Sequence, residues 1–279
     1  MSREHDWFRH SVQQLRGAGI DDPAREAARI WQAVTGQRWS AWLVHPQDIS
    51  EDMLETLHDF TVRRSRREPF AYLVGTQPFL DMDLQVGPGV LIPRPETQRL
   101  VEAVCARLPH EQALRIVDVG TGSGAIALGL CRCGGRLWQI TGVDKSREAL
   151  NWARRNQRRY VCAVSWQDSD LLEALPAEPL DAIVANLPYI DRQEGGGDPE
   201  LAYEPPQALY AQQHGLSEIF RLADQAYPRL KKGGLLALEL GQGQAGSVKA
   251  YLTHKGFVQV EGLFDCRQIE RIVLARRNP

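Results

Sequence analysis

An apolar run, Leu114-Arg115-Ile116-Val117-Asp118-Val119, passes straight into Gly120-Thr121-Gly122-Ser123-Gly124 and then into a second apolar stretch from Ala125. Few chains can satisfy that sequence of demands. The run suits a strand, the glycines allow a tight turn and close approach of a ligand to the backbone, and a following helix start presents free N–H groups. The pattern then repeats. Strand-like segments recur at 139–143, 161–167, 182–185, 235–240, 257–263 and 269–275, and helical ones at 124–133, 147–159, 216–230 and 245–254. Such alternation predicts an α/β, doubly wound, Rossmann-like sheet of seven strands, mostly parallel, with ligands at the carboxyl ends of its strands. Two final strands with no helix between them predict an antiparallel edge hairpin.

The chain has 279 residues, and at about 150 residues per domain that leaves room for roughly one further, smaller unit. Residues 1–75 supply it. Apolar residues recur at helical spacing through Trp7, Phe8, Val12 and Leu15, and again through Ala27, Ile30, Trp31 and Val34. Asp22-Pro23 opens a helix and Gly36 can close it; a third helix is predicted over 50–67. Its end, Arg63-Arg64-Ser65-Arg66-Arg67, either touches phosphate or is a solvated helix end complementing the dipole. Partial alternation over 79–86, followed by Gly87-Pro88-Gly89, predicts a β-hairpin or extended linker, with a helix from 96 to 108. The expected organisation is a helical domain at 1–75, a hairpin linker at 76–95 and the doubly wound α/β domain at 96–279.

The 33 basic and 35 acidic residues leave a net charge of −2, which argues against broad capture of nucleic acid or an anionic membrane. There is no apolar run near the length of a membrane span, and the first residues lack a signal-peptide core, so a cytoplasmic location is expected. Five cysteines in so long a chain predict thiols rather than a disulfide framework, and Cys131-Arg132-Cys133 lacks zinc-knuckle spacing.

Asp144 stands 24 residues after Gly120 at the end of the next strand, where a carboxylate can accept both ribose hydroxyls of an adenine nucleoside and also cap the following helix. Asp170 and Leu171 end the third strand, where an adenine edge and face would lie; Asp170 can equally cap the loop. The glycine pattern alone does not choose between cofactors. Asp118, before the first glycine, tips the choice: a pyrophosphate would be repelled there, whereas S-adenosylmethionine carries an amino group and a sulfonium.

The fourth strand runs into Asn186-Leu187-Pro188-Tyr189. Pro188 restrains Leu187 and the direction of its carbonyl. The Asn186 side-chain oxygen and that carbonyl form a pair of acceptors suited to the two N–H groups of a planar NH₂, with Tyr189 as a flat wall.

Asp118 to Gly124, Asp144 and Asn186-Leu187-Pro188-Tyr189-Ile190 resemble the motifs of class I amino-methyltransferases that act on planar nitrogens. Arg67 to Gly75, Leu91 to Thr97, Tyr203-Glu204-Pro205 with Ala208-Leu209, and Glu239 to Gln244 narrow the resemblance to the PrmC/HemK family, from about Glu68 onwards. That resemblance implies a release factor glutamine N5-methyltransferase: S-adenosylmethionine as cofactor, the glutamine of a Gly-Gly-Gln motif as acceptor, release factors as protein substrate, and the N-terminal helices as docking domain. It also implies cofactor binding by Asp118, Gly120, Thr121, Gly122, Ser123, Gly124, Asp144, Asp170, Leu171 and Asn186. Asn186, Leu187, Pro188 and Tyr189 would form the catalytic and substrate-binding loop.

Four features depart from the family pattern. Leu187 replaces a proline, Leu171 an aromatic residue and Gln98 an acid, and the segment Asp265 to Arg271, Gln268 included, lacks a glycine before Glu270-Arg271. The reaction needs no metal, and the chain is expected to work as a monomer without membrane or nucleic acid. The alternatives are an adenine-N6 methyltransferase of DNA or RNA, and a binding module without chemistry that uses the Arg63–Arg67 run.

Overall fold

Helix caps are the most local determinants, and the three long N-terminal helices start at side-chain caps. Two short ones, Trp39–Val44 and Phe70–Val74, have no such cap and lie outside the expected helices. A computed structural model describes residues 2–191 and 197–279. These fall into two units, Met1–Gly75 and Thr76–Pro279.

The first unit holds α1 (Arg3–Gly17), α2 (Pro23–Thr35), α3 (Trp39–Val44), α4 (Glu51–Ser65) and α5 (Phe70–Val74). Asp22 accepts the Arg25 N–H with Pro23 in the first turn, and Gly36 closes α2 at φ 74°. Ser50 caps α4 through the Met53 N–H. Trp7, Trp31, Trp42 and Leu57 are buried together. The arginine run is largely spent inside the unit. Arg64 forms a 2.5 Å ion pair with buried Glu26, Arg63 binds Glu68 and Asp59, and Arg67 donates to the Gly19 carbonyl.

The second unit begins with a hairpin, β1 (Thr76–Phe79) and β2 (Met82–Gln85). Phe79, Met82 and Leu84 enter its main core. After α6 (Pro95–Cys105) come β3 (Arg115–Val119), α7 (Ala125–Cys133), β4 (Gln139–Asp144), α8 (Arg147–Gln157), β5 (Val164–Asp168) and β6 (Leu180–Asn186). Beyond the acceptor loop, short strands β7 (Ile190–Asp191) and β8 (Tyr210–Ala211) pair in parallel. One-turn helices α9 (Pro206–Leu209) and α10 (Gln212–Gly215) lead to α11 (Ser217–Arg229), β9 (Leu230–Glu239), α12 (Ala245–His254), β10 (Phe257–Phe264) and β11 (Glu270–Arg277).

The seven-stranded sheet has the order β10-β11-β9-β6-β3-β4-β5. β11 lies antiparallel between β10 and β9, and the other pairings are parallel. Both faces are covered, one around Leu100, Val104 and Leu128 and the other around Ile219, Leu222 and Val248.

The sequence reading is corrected at three points. The strand expected from 161 starts at Val164, and Val161 lies in solvent. The strand expected from 235 starts at Leu230, because Lys231 to Gly234 continue it. Cys105 and Cys133, expected as thiols, are joined in a disulfide with Cα atoms 6.5 Å apart. Gly129 on α7 lies against Val101 on α6, so the two helices pack side by side with their last residues together. A separation of 28 residues hides that proximity in the sequence. Among the described residues, no helix is long and apolar enough to cross a membrane.

Candidate active site

The carboxyl ends of β3, β4, β5 and β6 meet at one cleft of about 930 Å³, open mouth included. Gly120, Thr121, Gly122, Ser123, Asp144, Asp170, Leu171, Asn186, Leu187 and Pro188 all line it. These parts lie far apart in the chain, and the parallel sheet gathers them.

The glycine loop is held from below. Asp118 is fully buried, and its Oδ2 accepts the Thr121 hydroxyl at 2.5 Å and the Ala127 N–H at 3.1 Å. Burial pushes its carboxyl up to about 7, against those two hydrogen bonds and with a smaller push from Asp144. Asp118 is not among the residues that line the cleft and orients the glycine loop from beneath it, through Thr121 and Ala127. Every residue of this central strand after Arg115 is buried, so alternation could not show which way the acid faces. Gly124 closes the loop. Its φ is +83°, and a Cβ there would stand 2.9 Å from Trp166 and 3.3 Å from Ala153. Its smallness lets the helix pack closely on the sheet.

Asp144 is tied to that loop. Oδ2 accepts the Gly122 N–H at 2.9 Å and Oδ1 accepts the Ser146 N–H at 2.8 Å. Burial raises its pKa, and these two donors act against the shift. At the third strand end, Asp170 Oδ2 accepts from Arg221 at 2.8 Å. Asp170 Oδ1 is shielded and, among the described residues, has no hydrogen-bond partner. Leu171 adopts φ +51° and is buried against the cleft, with its carbonyl held by the Ser169 hydroxyl at 2.9 Å.

At the opposite end, Leu187 reaches over the glycine loop: a Cβ on Gly120 would lie 3.0 Å from Leu187 Cδ2. Asn186 Nδ2 donates to Glu239 Oε1 at 2.9 Å and to the Thr97 hydroxyl at 3.2 Å. Asn186 and Glu239 are register partners on parallel β6 and β9. Tyr189 lines a neighbouring hollow, shared with Asn186, Arg94 and Leu209. Burial pushes its phenol up to about 12, with Glu239 adding to the shift. The phenol therefore stays protonated at neutral pH and suits a wall, not a base.

The cleft has further walls that the sequence reading did not assign. Val90, Leu91 and Pro93 stand on one side, and Pro205 and Ala208 on another. Glu204, only 3% exposed, ties these sides together. It accepts the Ile92 N–H at 2.8 Å and the Arg94 guanidinium at 2.5 Å. The Leu91–Thr97 and Tyr203–Pro205 stretches lie more than 100 residues apart, and nothing in either announces this bond. Asn156, fully buried on α8, donates to the Ser123 carbonyl at 2.9 Å and the Gln85 carbonyl at 3.0 Å.

Residues 6–75 match the family model described as the PrmC N-terminal domain, and residues 97–198 match the methyltransferase small domain. The chain is 36% identical over 276 residues to a release factor glutamine methyltransferase of Salmonella typhimurium, covering 98% of each chain. It is 35% identical over 287 residues to a protein of the same name from Escherichia coli, covering 99% of each. Among solved structures, a methyltransferase from Pyrococcus furiosus superposes with a TM-score of 0.56 at 16% identity, over 83% of this chain and 100% of that one. That last likeness concerns the fold alone.

Proposed function

The chain belongs to the family of release factor glutamine methyltransferases, and from that premise we propose that its acceptor is the glutamine of the Gly-Gly-Gln motif, methylated on N5 to modulate translation termination. It is an S-adenosylmethionine-dependent protein-glutamine methyltransferase. Its location follows from its substrate: release factors act where translation proceeds, in the cytoplasm.

The cleft suits the cofactor. Asp144 lines it at the end of β4, where ribose hydroxyls can reach lone pairs that Gly122 and Ser146 leave free. The unpartnered Asp170 Oδ1 suits the exocyclic amine of an adenine, and Leu171 offers an apolar surface to the ring. Bound there, S-adenosylmethionine supplies a methyl group on a positively charged sulfur.

The chain's own work is at the acceptor. An amide nitrogen is a poor nucleophile because its lone pair is delocalised. Asn186 Oδ1 and the Leu187 carbonyl accept the two N–H groups of the glutamine, aim its lone pair and stabilise positive charge growing on nitrogen. Tyr189 flanks the amide as a protonated wall. No base needs to act before transfer, since the proton can leave afterwards. Residues 1–75 dock the release factor.

One observation carries this reading: the Asn186 NH₂ is already occupied by Glu239 and Thr97, so its oxygen is left for the substrate. The test is transfer of a labelled methyl group to purified release factor, run beside an adenine-containing oligonucleotide. Label in the release factor alone is expected. Label in the oligonucleotide alone would overturn the assignment.

A further inference from the structure

We propose that Glu239 is a positioning residue which fixes the orientation of the Asn186 amide and thereby makes the acceptor site select a carboxamide over a carboxylate. The proposal rests on the assignment of Asn186 to the acceptor site.

The two ends of an asparagine amide have nearly the same shape, so their neighbours decide which way round it stands. Glu239 stands beside Asn186 at the ends of β6 and β9 and is only 2% exposed. A carboxylate has no proton to give. It can therefore face the nitrogen of Asn186 but not the oxygen, and Nδ2 does lie 2.9 Å from Oε1. Thr97 takes the second N–H at 3.2 Å. With both N–H groups engaged, Asn186 can show the cleft only an acceptor. Two acceptors, Asn186 Oδ1 and the Leu187 carbonyl, attract an NH₂ and repel a carboxylate. Glu239 thus acts on the substrate only through Asn186.

The second oxygen of Glu239 has no hydrogen-bond partner among the described residues. A buried acid with an unused oxygen is an expensive way to hold an amide if only packing were needed. Burial pushes this carboxyl up to about 7; Glu96 adds to the shift, while the Thr97 hydroxyl and the guanidiniums of Arg271 and Arg94 oppose it. Its other charged-form neighbour, the Tyr189 phenol, is protonated throughout this range. Once protonated, Glu239 can donate as well as accept and no longer dictates the orientation of Asn186. Turnover should then fall as pH drops through the region of 7.

The test is Glu239→Gln in the full chain, with Thr97→Val as a second variant of nearly unchanged volume. A glutamine offers both an oxygen and an NH₂, so Asn186 can stand either way. Turnover on a Gly-Gly-Gln peptide should fall about 10-fold or more, with cofactor affinity held within about 2-fold. The acidic limb near pH 7 should disappear, and a Gly-Gly-Glu peptide should become a relatively better inhibitor. Thr97→Val should lose less activity and keep the limb, moved to higher pH because the Thr97 hydroxyl no longer opposes the shift of Glu239, and it carries the test if Glu239→Gln does not fold. An activity-independent readout is the side-chain amide resonance of Asn186, which should titrate near pH 7 in wild type and not in Glu239→Gln. Wild-type turnover with an unchanged limb in Glu239→Gln would overturn the proposal, as would an Asn186 resonance that does not titrate in wild type or a limb lost in Thr97→Val. A wild-type protein that methylates no Gly-Gly-Gln peptide, while its Asn186 resonance still titrates, would overturn the substrate assignment and leave the positioning role standing.

Discussion

Asp144 Oδ2 accepts the Gly122 N–H at 2.9 Å, so the acid at the end of β4 and the glycine loop after β3 are held as one piece. A single carboxylate shapes the loop and still faces the cleft.

Asp144→Ala removes both functions. Cofactor binding is expected to weaken by about 1.5–3 kcal/mol, the range for a hydrogen bond to a charged group. Calorimetry on the folded variant checks this, and unchanged affinity would remove Asp144 from the cofactor site.

Asn186→Ala takes away one of the two acceptors. Turnover should fall by about 10²–10³, while cofactor affinity changes little. Asn186→Asp should also be poor. It would place a second carboxyl where an NH₂ now lies 2.9 Å from Glu239 Oε1, so the two acids would compete for one proton. Single-turnover transfer measures both variants, and a wild-type rate in folded Asn186→Ala would show that the acceptor site lies elsewhere.

Asp118 gives stability a pH dependence of known sign. Its carboxyl titrates at about 7 when folded, against about 3.9 for an unperturbed aspartate. Between those values the folded chain holds the extra proton. The Asp118 share of stability is therefore fully present below about pH 4 and is lost as pH rises towards 7, with a limiting slope of about 1.4 kcal/mol per pH unit. Urea unfolding across this window should show a flatter profile for Asp118→Asn than for wild type. Equal slopes would mean that Asp118 is ionised in the fold.

Gln268, in the turn before β11, adopts φ +61°. The left-handed region costs a residue with a Cβ about 1–2 kcal/mol and glycine much less. After the loss from glycine's freer unfolded chain, Gln268→Gly should stabilise by up to about 1 kcal/mol with methyl transfer unchanged. A lower thermal midpoint would contradict this.

Residues 76–279 alone should bind S-adenosylmethionine but methylate full-length release factor poorly, if residues 1–75 dock it. Steady-state kinetics on release factor and on a short Gly-Gly-Gln peptide separate docking from chemistry. A selective rise in KM for the full-length factor is expected, and equal KM for the two proteins would remove the docking role.

The legible parts of this protein are those whose chemistry sits in consecutive residues. Gly120 to Ser123 and Asn186-Leu187-Pro188 each declare a turn and a ligand-facing backbone, and both line the cleft. Asp144 was legible because strand ends recur at regular spacing. Glu239 and Thr97 were not, because they meet Asn186 only through β6–β9 pairing and the placement of α6. The direction of Asp118 is not legible, because a strand buried on both sides gives no alternation to show it. The Cys105–Cys133 pairing is not legible in the sequence, because only the packing of α6 on α7 brings the two together.

The central claim is that one glutamine amide, aimed by Asn186, receives the methyl group. The most direct measurement is mass-spectrometric mapping of the methylated residue in release factor after reaction with wild-type protein and with Asn186→Ala. The account predicts one methyl on the glutamine of Gly-Gly-Gln with wild type, and a signal about 10²-fold or more weaker at equal time with the variant. A methyl group on any other residue, or equal labelling by the two proteins, would contradict it.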